Sequence, residues 1–306
     1  MKKTLVIGST VIDVLLKLPV LPGRGDDINI ISSEYRVGGC AYNVFKALKL
    51  FKSPAMLCSP VGTGVYGRLV RECLESEGIR PIASPQAENG CCYCLIENNG
   101  ERSFLSHHGA EYLFSRCWMN DVDFSLADSV FICGIELEDS CGAEISAFVC
   151  EHPELTLYFA PGPRITHIPA EIIDQLFQRR DINGKGPFLH LNEKEASGFT
   201  GKSNIAEAAE FLAARTENSV VITLGEQGCY SLQKARLEGS FIAGFPVSVE
   251  DTVGTGDAHF GALIACLKEG KTLEEACRIA NQIGAAVAGI RGAVLDELPE
   301  LSKASG

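Results

Sequence analysis

Short apolar runs alternate with longer stretches of helical periodicity along most of this chain, and this alternation restricts the fold more than any other feature. Strand-like runs lie at residues 5–8, 55–58, 129–133, 155–159, 187–190, 220–223 and 228–232. Patterns typical of helices lie at residues 41–51, 66–77, 143–150, 168–179, 205–215, 257–268 and 273–289. Neighbouring parallel strands need a crossover of about a dozen residues, usually a helix. The order therefore predicts an α/β fold whose largely parallel sheet is covered by helices on both faces.

Two pairs of strand-like segments interrupt this alternation. They are residues 11–18, 28–37, 91–97 and 103–106. The second pair flanks Asn99 and Gly100, a turn signal typical of hairpins. These strands do not fit the parallel core, so they predict a small separate sheet over one end of it. We expect a single domain over residues 1–306, with lid segments at about 11–37 and 88–108.

The formal net charge of −12 restricts the partners of the chain. An acidic chain is repelled by nucleic acid and by anionic membrane surfaces, so neither is expected to bind. No apolar stretch approaches the roughly 20 residues that span a bilayer, and no signal-peptide pattern follows Met1. An odd count of thirteen cysteines is typical of reduced thiols. Together these features predict a cytoplasmic enzyme.

Three of the cysteines, Cys91, Cys92 and Cys94, lie close together and raise the question of a metal site. Zinc sites usually combine two pairs of ligands at regular spacing, which this segment lacks. Residues 91–96 have the character of a strand, in which cysteines behave as small hydrophobic residues. The strand interpretation is favoured over the metal site.

The segment with the most specific chemistry is residues 250–261, Glu-Asp-Thr-Val-Gly-Thr-Gly-Asp-Ala-His-Phe-Gly. Two glycines and a threonine lead into a predicted helix, whose unpaired amides and positive dipole end form a site for an anion. Asp257 lies in the first turn, where its carboxylate can accept a proton from an attacking hydroxyl group. The alternative is an ordinary carboxylate at a helix N-terminus. The extended Asp-Thr-x-Gly-x-Gly-Asp pattern favours the catalytic interpretation.

This segment resembles the C-terminal signature of the PfkB/ribokinase family of carbohydrate kinases. Three further segments resemble family motifs in the expected order: residues 37–43 (Val-Gly-Gly-Cys-Ala-Tyr-Asn), 192–195 (Asn-Glu-Lys-Glu) and 223–228 (Thr-Leu-Gly-Glu-Gln-Gly). Residues 11–14 and 162–165 are similar to segments of bacterial sugar kinases of unassigned substrate. The resemblance extends from the first strand to the last helices.

The resemblance implies a Rossmann-like, ribokinase-like core of three layers with a mainly parallel sheet and a small β-sheet lid. It also implies ATP and Mg²⁺ as cofactors and assigns roles to single residues. Asp257 would be the general base, with backbone amides supplied by Gly254, Thr255 and Gly256. The residues that would bind the acceptor are Asp13, Gly38, Gly39 and Asn43.

The resemblance further implies a nucleotide side of the site. The residues that would bind nucleotide there are Asn192, Glu195, Thr223, Gly225 and Gly228. Glu195 would help to place Mg²⁺ through water, because Mg²⁺ releases its waters reluctantly. Asp251 matches a monovalent-cation position of family members, which would hold K⁺. The sequence has neither a Walker A loop nor a dinucleotide-binding fingerprint.

The predicted reaction is ATP-dependent phosphorylation of a hydroxyl group on a sugar or sugar-like molecule. Cys40 stands where ribokinases have a lysine, so a nucleoside acceptor resembling pseudouridine or adenosine is an alternative. A non-catalytic ligand-binding protein would more readily have lost Asp257, and a nicotinamide-dependent dehydrogenase would need the missing fingerprint. Five further residues near the predicted site have no assigned role at this point: Arg102, Glu136, Glu138, His107 and His108.

Apolar side chains on the early lid strands also predict a homodimer. Val14, Leu16, Ile28 and Ile30 would lie on a face that a few strands cannot bury alone. Pairing of two lids across a two-fold axis would cover this face. The alternative is a monomer whose lid folds back on its own core.

Overall fold

The computed structural model describes residues 1–98, 101–236 and 238–301. Within them the strands are β1 (Lys3–Ile7), β2 (Val11–Leu18), β3 (Ser32–Gly38), β4 (Ala55–Cys58), β5 (Cys91–Glu97), β6 (Arg102–His107), β7 (Ala127–Cys133), β8 (Thr156–Ala160), β9 (Phe188–Asn192), β10 (Val220–Thr223), β11 (Gly228–Gln233) and β12 (Glu238–Ala243). The α-helices are α1 (Cys40–Leu50), α2 (Gly64–Ser76), α3 (Cys141–Glu151), α4 (Ala170–Gln178), α5 (Glu193–Thr200), α6 (Ile205–Thr216), α7 (Thr255–Lys268) and α8 (Leu273–Ala288). None of these helices has the length and apolar character needed to cross a bilayer.

The larger sheet has eight strands in the order β12-β11-β10-β9-β8-β7-β1-β4. Neighbouring strands from β10 to β4 are parallel, whereas β11 is antiparallel to both β10 and β12. The predicted α/β class with a largely parallel sheet is confirmed. Sequence patterns do not predict β12, because only Ile242 of its six residues is buried. They also miss α5, in which only Ala196 is buried.

Helices cover both faces of this sheet, which gives the three layers implied by the sequence. On one face, Phe131 of β7 packs in a cluster with Phe260 of α7. On the other face, Val130 packs in a second cluster with Phe148 of α3. Val130 and Phe131 reach opposite clusters because side chains alternate between the two faces of a strand.

The smaller sheet corresponds to the predicted lid and has the order β3-β2-β5-β6. Strand β2 is antiparallel to β3 and parallel to β5, and β5 is antiparallel to β6. The turn signal at Asn99 and Gly100 lies outside the described residues. The expectation that a strand begins at residue 28 is wrong, because β3 begins at Ser32. The last register pair is Ser32 with Lys17 near the end of β2, and Ile31 donates one further backbone hydrogen bond of 2.8 Å to the carbonyl oxygen of Lys17.

The chain itself covers part of the lid face on which the sequence predicts a dimer contact. Val14 is only 3% exposed, and it belongs to the same core cluster as Phe260. Leu16 is half-buried against that cluster, and helix α2 contacts β2. The expectation that Val14 and Leu16 lack cover is therefore wrong, whereas Ile30 is 51% exposed.

Helices α1 and α7 pack closely because a glycine lies at their contact. A Cβ atom added at Gly261 would lie 2.5 Å from the Cβ atom of Ala47 and 2.9 Å from the carbonyl oxygen of Val44. Both distances are shorter than van der Waals contact, so the absence of a side chain at Gly261 sets the separation of the two helices.

We expect Gly261→Ala to lower the free energy of unfolding by about 1–3 kcal/mol, because the added methyl group would push α1 and α7 apart. A matched control is Gly198→Ala in α5, where an added Cβ atom meets nothing within 4 Å. That change should be neutral or stabilise by up to about 1 kcal/mol. Chemical denaturation measures both effects. An unchanged free energy for Gly261→Ala would show that the helices can separate without cost.

Candidate active site

The N-termini of α1 and α7 meet beyond the carboxyl end of β1. Gly39 precedes α1 with a φ of 100°, and a Cβ atom there would lie 2.6 Å from the carbonyl oxygen of Ser9. Gly254 precedes α7 with a φ of 71°, and a Cβ atom there would lie 2.2 Å from that of Ala293. Glycine is required at both positions by the positive φ and the close approach. The positive ends of two helix dipoles are thereby directed to one place.

Asp257 lies in the first turn of α7, as the sequence predicts. Asn43 of α1 donates a hydrogen bond of 2.9 Å from Nδ2 to Oδ2 of Asp257. Burial is the main cause that raises the pKa of Asp257 from 3.8 to about 7, and the charges of Glu136 and Glu195 add to it. The hydrogen bonds from Asn43 and Cys40 act in the opposite direction. A carboxyl group with this pKa can both accept and release a proton near neutral pH.

Asp13 lies on β2 and faces the same region. A Cβ atom at Gly38 would lie 2.1 Å from Oδ2 of Asp13, so glycine at this position makes room for the carboxylate. Burial, then the charge of Asp257 and then that of Asp251, raise the pKa of Asp13 to about 7. These effects show that the three aspartates share one electrostatic environment.

Asp251 connects the lid to the loop that precedes α7. Its side chain is buried and forms an ion pair with Arg102 of β6. Asp251 also accepts hydrogen bonds from the backbone amides of Val253 at 2.8 Å and Gly292 at 3.1 Å. Arg102 donates a further hydrogen bond of 3.2 Å to the carbonyl oxygen of Glu250. The sequence leaves the role of Arg102 open. In the structure, Arg102 contacts the segment that positions Asp257.

A cleft of about 570 Å³ lies beside the N-terminus of α7. The predicted residues that line it are Thr223, Gly225, Gly228, Thr255 and Gly256. Within the described protein, the buried Oγ1 atom of Thr255 has no hydrogen-bond partner. A Cβ atom at Gly256 would meet nothing within 4 Å, so local packing leaves this backbone open. An unpaired hydroxyl group beside an open helix N-terminus fits an anionic ligand such as a nucleotide phosphate.

Asn192 and Glu195 lie next to this cleft, since Thr223 is the register partner of Asn192 in the sheet. They form a reciprocal cap at the start of α5. The backbone amide of Glu195 donates to Asn192 Oδ1 at 2.8 Å, while the two Glu195 carboxylate oxygens accept from Asn192 at 2.7 and 3.0 Å. Carboxylate oxygens suit Mg²⁺. Because both oxygens already have donors, these residues fit a magnesium ion held through water.

Sequence patterns do not single out His259 and Asn281, which line the same cleft. His259 Nε2 lies 3.0 Å from Asn281 Oδ1, and His259 Nδ1 lies 2.9 Å from His190 Nε2. Burial lowers the pKa of His190 well below its ordinary value, so this ring is neutral. Asn281 also donates to the carbonyl oxygens of Ile242 and Ala243 in β12. The one sequence signal that could have pointed to His259 is its position within the glycine-rich segment 250–261.

Glu136, another residue without an assigned role, supports the backbone beneath the site. Its Oε1 atom accepts a hydrogen bond of 2.8 Å from the backbone amide of Ser9. A Cβ atom at Gly8 would lie 2.9 Å from the same oxygen. Burial raises the pKa of Glu136. Glu136 therefore holds the chain after β1 and contributes to the electrostatic environment of Asp257.

Of the remaining unassigned residues, Glu138 lies after β7 of the core sheet, whereas His107 and His108 lie at the end of β6 and just after it. Glu138 forms an ion pair with Arg164. His108 Nδ1 lies 2.6 Å from Oδ2 of Asp139, which fixes its ring. His107 is exposed at the end of β6. Glu138 and His108 thus bind other side chains of the protein.

Comparison with known proteins confirms the resemblance seen in the sequence. The profile of the pfkB family of carbohydrate kinases matches residues 1–301. The chain is 30% identical over 296 residues to the uncharacterized sugar kinase YegV of Escherichia coli, covering 95% of this chain and 90% of that protein.

Two solved structures share the ribokinase-like fold. Arabidopsis thaliana ribokinase, complexed with ribose and ATP, has a TM-score of 0.78 at 22% identity and covers 95% of this chain and 94% of its own. Burkholderia thailandensis nucleoside kinase, complexed with inosine, has a TM-score of 0.78 at 18% identity. The match covers 97% of this chain and 94% of the nucleoside kinase. Because the family profile spans nearly the whole sequence, the chain belongs to the pfkB family and is an ATP-dependent carbohydrate kinase.

Proposed function

We propose that this kinase transfers the γ-phosphoryl group of ATP to a hydroxyl group of a sugar or sugar-like molecule, with Asp257 as the general base. The observation that carries the proposal is the position of Asp257. It follows Thr255 and Gly256, which line the large cleft, and it lies close enough to Asp13 to raise the pKa of that carboxyl group. A base at this position has the nucleotide cleft on one side and the Asp13 carboxylate on the other.

In the proposed reaction, the acceptor hydroxyl group gives its proton to Asp257 while its oxygen attacks the γ-phosphorus, and ADP leaves. The amides of Thr255 and Gly256, at the positive end of α7, would stabilise negative charge on the transferred group. Asn43 holds the carboxylate of Asp257 in place. Mg²⁺ bound with ATP would supply further positive charge, held through water near Glu195.

The proposed acceptor site is a cavity of about 130 Å³ between the lid and the core. Asp13 and Arg36 line it and offer groups that can bind sugar hydroxyls. Its volume is well below that of the nucleotide cleft, which supports a small acceptor such as a monosaccharide. The related structures contain ribose in one case and inosine in the other. A nucleoside acceptor is therefore the second candidate, and a screen of sugars and nucleosides with Mg-ATP separates the two.

A monovalent cation such as K⁺ belongs to the same proposal at Asp251. The carboxylate of Asp251 is already paired with the guanidinium group of Arg102. Arg102 binds Oδ1 of Asp251 and the Gly292 amide binds Oδ2, so a potassium ion at Oδ2 would share the carboxylate with Arg102.

We also propose a cytoplasmic homodimer. All thirteen cysteines are free, which suits a reducing compartment. On the lid, Tyr35 and Leu105 lie in one cross-strand row with the buried Val14, at opposite ends of the row. Tyr35 is 57% exposed and Leu105 is 58% exposed. Lid pairing across a two-fold axis would cover these two side chains.

We expect Asp257→Asn to fold and to bind ATP, because asparagine has nearly the same shape and can still accept the hydrogen bond from Asn43. Its kcat should fall by roughly 10²–10⁴-fold, since the general base is lost. The assay uses the best acceptor from the substrate screen, and ATP binding is measured by calorimetry. Asp121→Asn, a change at an exposed position, serves as control. Turnover near that of the wild type would contradict the assigned role.

The pKa of Asp257 predicts the pH dependence of the reaction. The base acts when ionised, so kcat/KM for the acceptor should decrease as pH is lowered through about 7. The effect on stability has the opposite sign. The folded state keeps a proton that the unfolded chain releases, so this group's contribution to the free energy of unfolding decreases as pH rises from 3.8 to about 7.

A pH profile of kcat/KM tests this prediction. Asp13 also has a pKa raised to about 7, so the profile is repeated with Asp13→Asn. The decrease at low pH should persist in that variant, because Asp257 remains. A profile that is flat across neutral pH in both proteins would exclude Asp257 as the titrating base.

Light scattering tests the dimer. We expect twice the chain mass of 32.9 kDa for the wild type, and the monomer mass for the double variant Tyr35→Asp, Leu105→Asp, since two buried charges would oppose lid pairing. Ile182→Asp is the control, at a loop position that is 72% exposed. A wild-type protein of monomer mass at micromolar concentration would rule out the dimer.

A further inference from the structure

Two thiol groups point to the same face of the lid. Cys92 and Cys94 are two residues apart on β5, so their side chains share a face, whereas Cys91 points to the other. The Sγ atoms of Cys92 and Cys94 are 4.0 Å apart. Cys94 is buried, while Cys92 is half-buried. The strand interpretation of these cysteines is therefore confirmed.

A carboxylate completes this group of donors. Strand β2 is parallel to β5, and Asp13 is the register partner of Cys92. A carboxylate oxygen of Asp13 and the Sγ atoms of Cys92 and Cys94 all lie within 4.8 Å of one another. Asp13 and Cys94 line the cavity between the lid and the core. Three potential metal ligands of two chemical types thus meet at the edge of a cavity.

We propose that Asp13, Cys92 and Cys94 form a binding site for a thiophilic divalent cation of the Zn²⁺ class. Zinc binds thiolate sulfur at about 2.3 Å in tetrahedral geometry, which places two sulfurs on one ion about 3.8 Å apart. The observed separation of 4.0 Å needs only a small adjustment. A carboxylate oxygen is the third ligand, and the fourth position faces the cavity and is open to water or another small ligand. Mg²⁺ prefers oxygen ligands and octahedral geometry, so it does not compete.

The cavity beside these residues holds charges of both signs, since Asp13 and Asp251 line it together with Arg36 and Arg291. Arg102 pairs with Asp251, and Arg36 pairs with Glu34. The site therefore rests on the two sulfur atoms and the Asp13 carboxylate, not on an excess of negative charge. Because the thiols must lose their protons on binding, affinity for the ion should increase with pH.

This site has a consequence that rests on the proposed function. A cation on the Asp13 carboxylate would remove the group that is proposed to bind the acceptor hydroxyl. The acceptor and the cation would therefore exclude each other, while ATP, bound in the other cleft, would be unaffected. The lid would make the kinase sensitive to free zinc-class ions through direct occupation of the acceptor site.

Metal binding to the full-length reduced protein tests the site without any assay of activity. Co²⁺ is used as the probe, since cobalt bound to thiolate shows a charge-transfer absorption whose intensity reflects the number of sulfur ligands. We expect one site per chain with two thiolates, and about half the intensity in Cys92→Ser or Cys94→Ser. Competition with Zn²⁺ should show at least about tenfold weaker binding in each single variant and in Asp13→Asn.

Cys117→Ser is the matched control, because Cys117 is exposed and lies outside the lid. Cys94 is buried, so circular dichroism verifies that each variant is folded, and Cys92→Ser and Asp13→Asn carry the test if Cys94→Ser does not fold. Absence of the thiolate absorption in the wild type, or equal Zn²⁺ affinity in wild type, Cys92→Ser and Asp13→Asn, would overturn the site.

A second experiment tests the consequence for the acceptor. Zn²⁺ should raise the KM of the acceptor without changing the KM of ATP, and Cys92→Ser should remove the inhibition. If zinc binds but does not compete with the acceptor, the overlap of the two sites is wrong while the metal site stands. If no acceptor supports turnover, the proposed function fails, and the binding measurement still decides the metal site.

Discussion

One hydrogen bond, from Asn43 to Asp257, joins the two helices on which the site depends. The two residues are 214 positions apart in the chain. Their meeting requires that α1 and α7 lie side by side, which the missing side chain at Gly261 permits. It also requires that α1 begins close to the end of β1, which Gly39 permits. The proposed base is thus held on rigid elements, where small errors of position are costly to catalysis.

The lid contributes charged side chains to the site and also shapes it. Asp13, Asp251 and Asp257 gather between the lid and the core, and their mutual repulsion adds to the effect of burial on the pKa of Asp13. Arg102 brings a positive charge from β6 to Asp251 and binds the loop that precedes α7. Thr255 and Gly256 in the first turn of α7 line the cleft proposed for the nucleotide, and Asp257 follows them in the same turn. Asp13 and Asp251 line the cavity proposed for the acceptor.

Much of this site could be predicted because its motifs are local. Gly254 and Gly39 are needed for backbone conformations that neighbouring residues impose, and Asp257 follows from its place at a helix start. The contact between Arg102 and Asp251 could not be predicted, since it spans 149 positions. The role of Asn281 could not be predicted either, because Asn281 reaches the cleft from α8 and belongs to no motif. Alternation along a strand places Val14 on an outer face of the lid but does not reveal what packs on that face.

The sequence by itself determined the α/β class, the separate lid, the family and the residues at the helix start. These features depend on periodicity and on backbone requirements within short segments, so they can be read from neighbouring residues. Only the tertiary structure decided that Cys92 and Cys94 lie beside Asp13, and that the chain buries Val14 itself. Strand register and helix packing fix such contacts, and these depend on the energy of the whole core rather than on any local pattern.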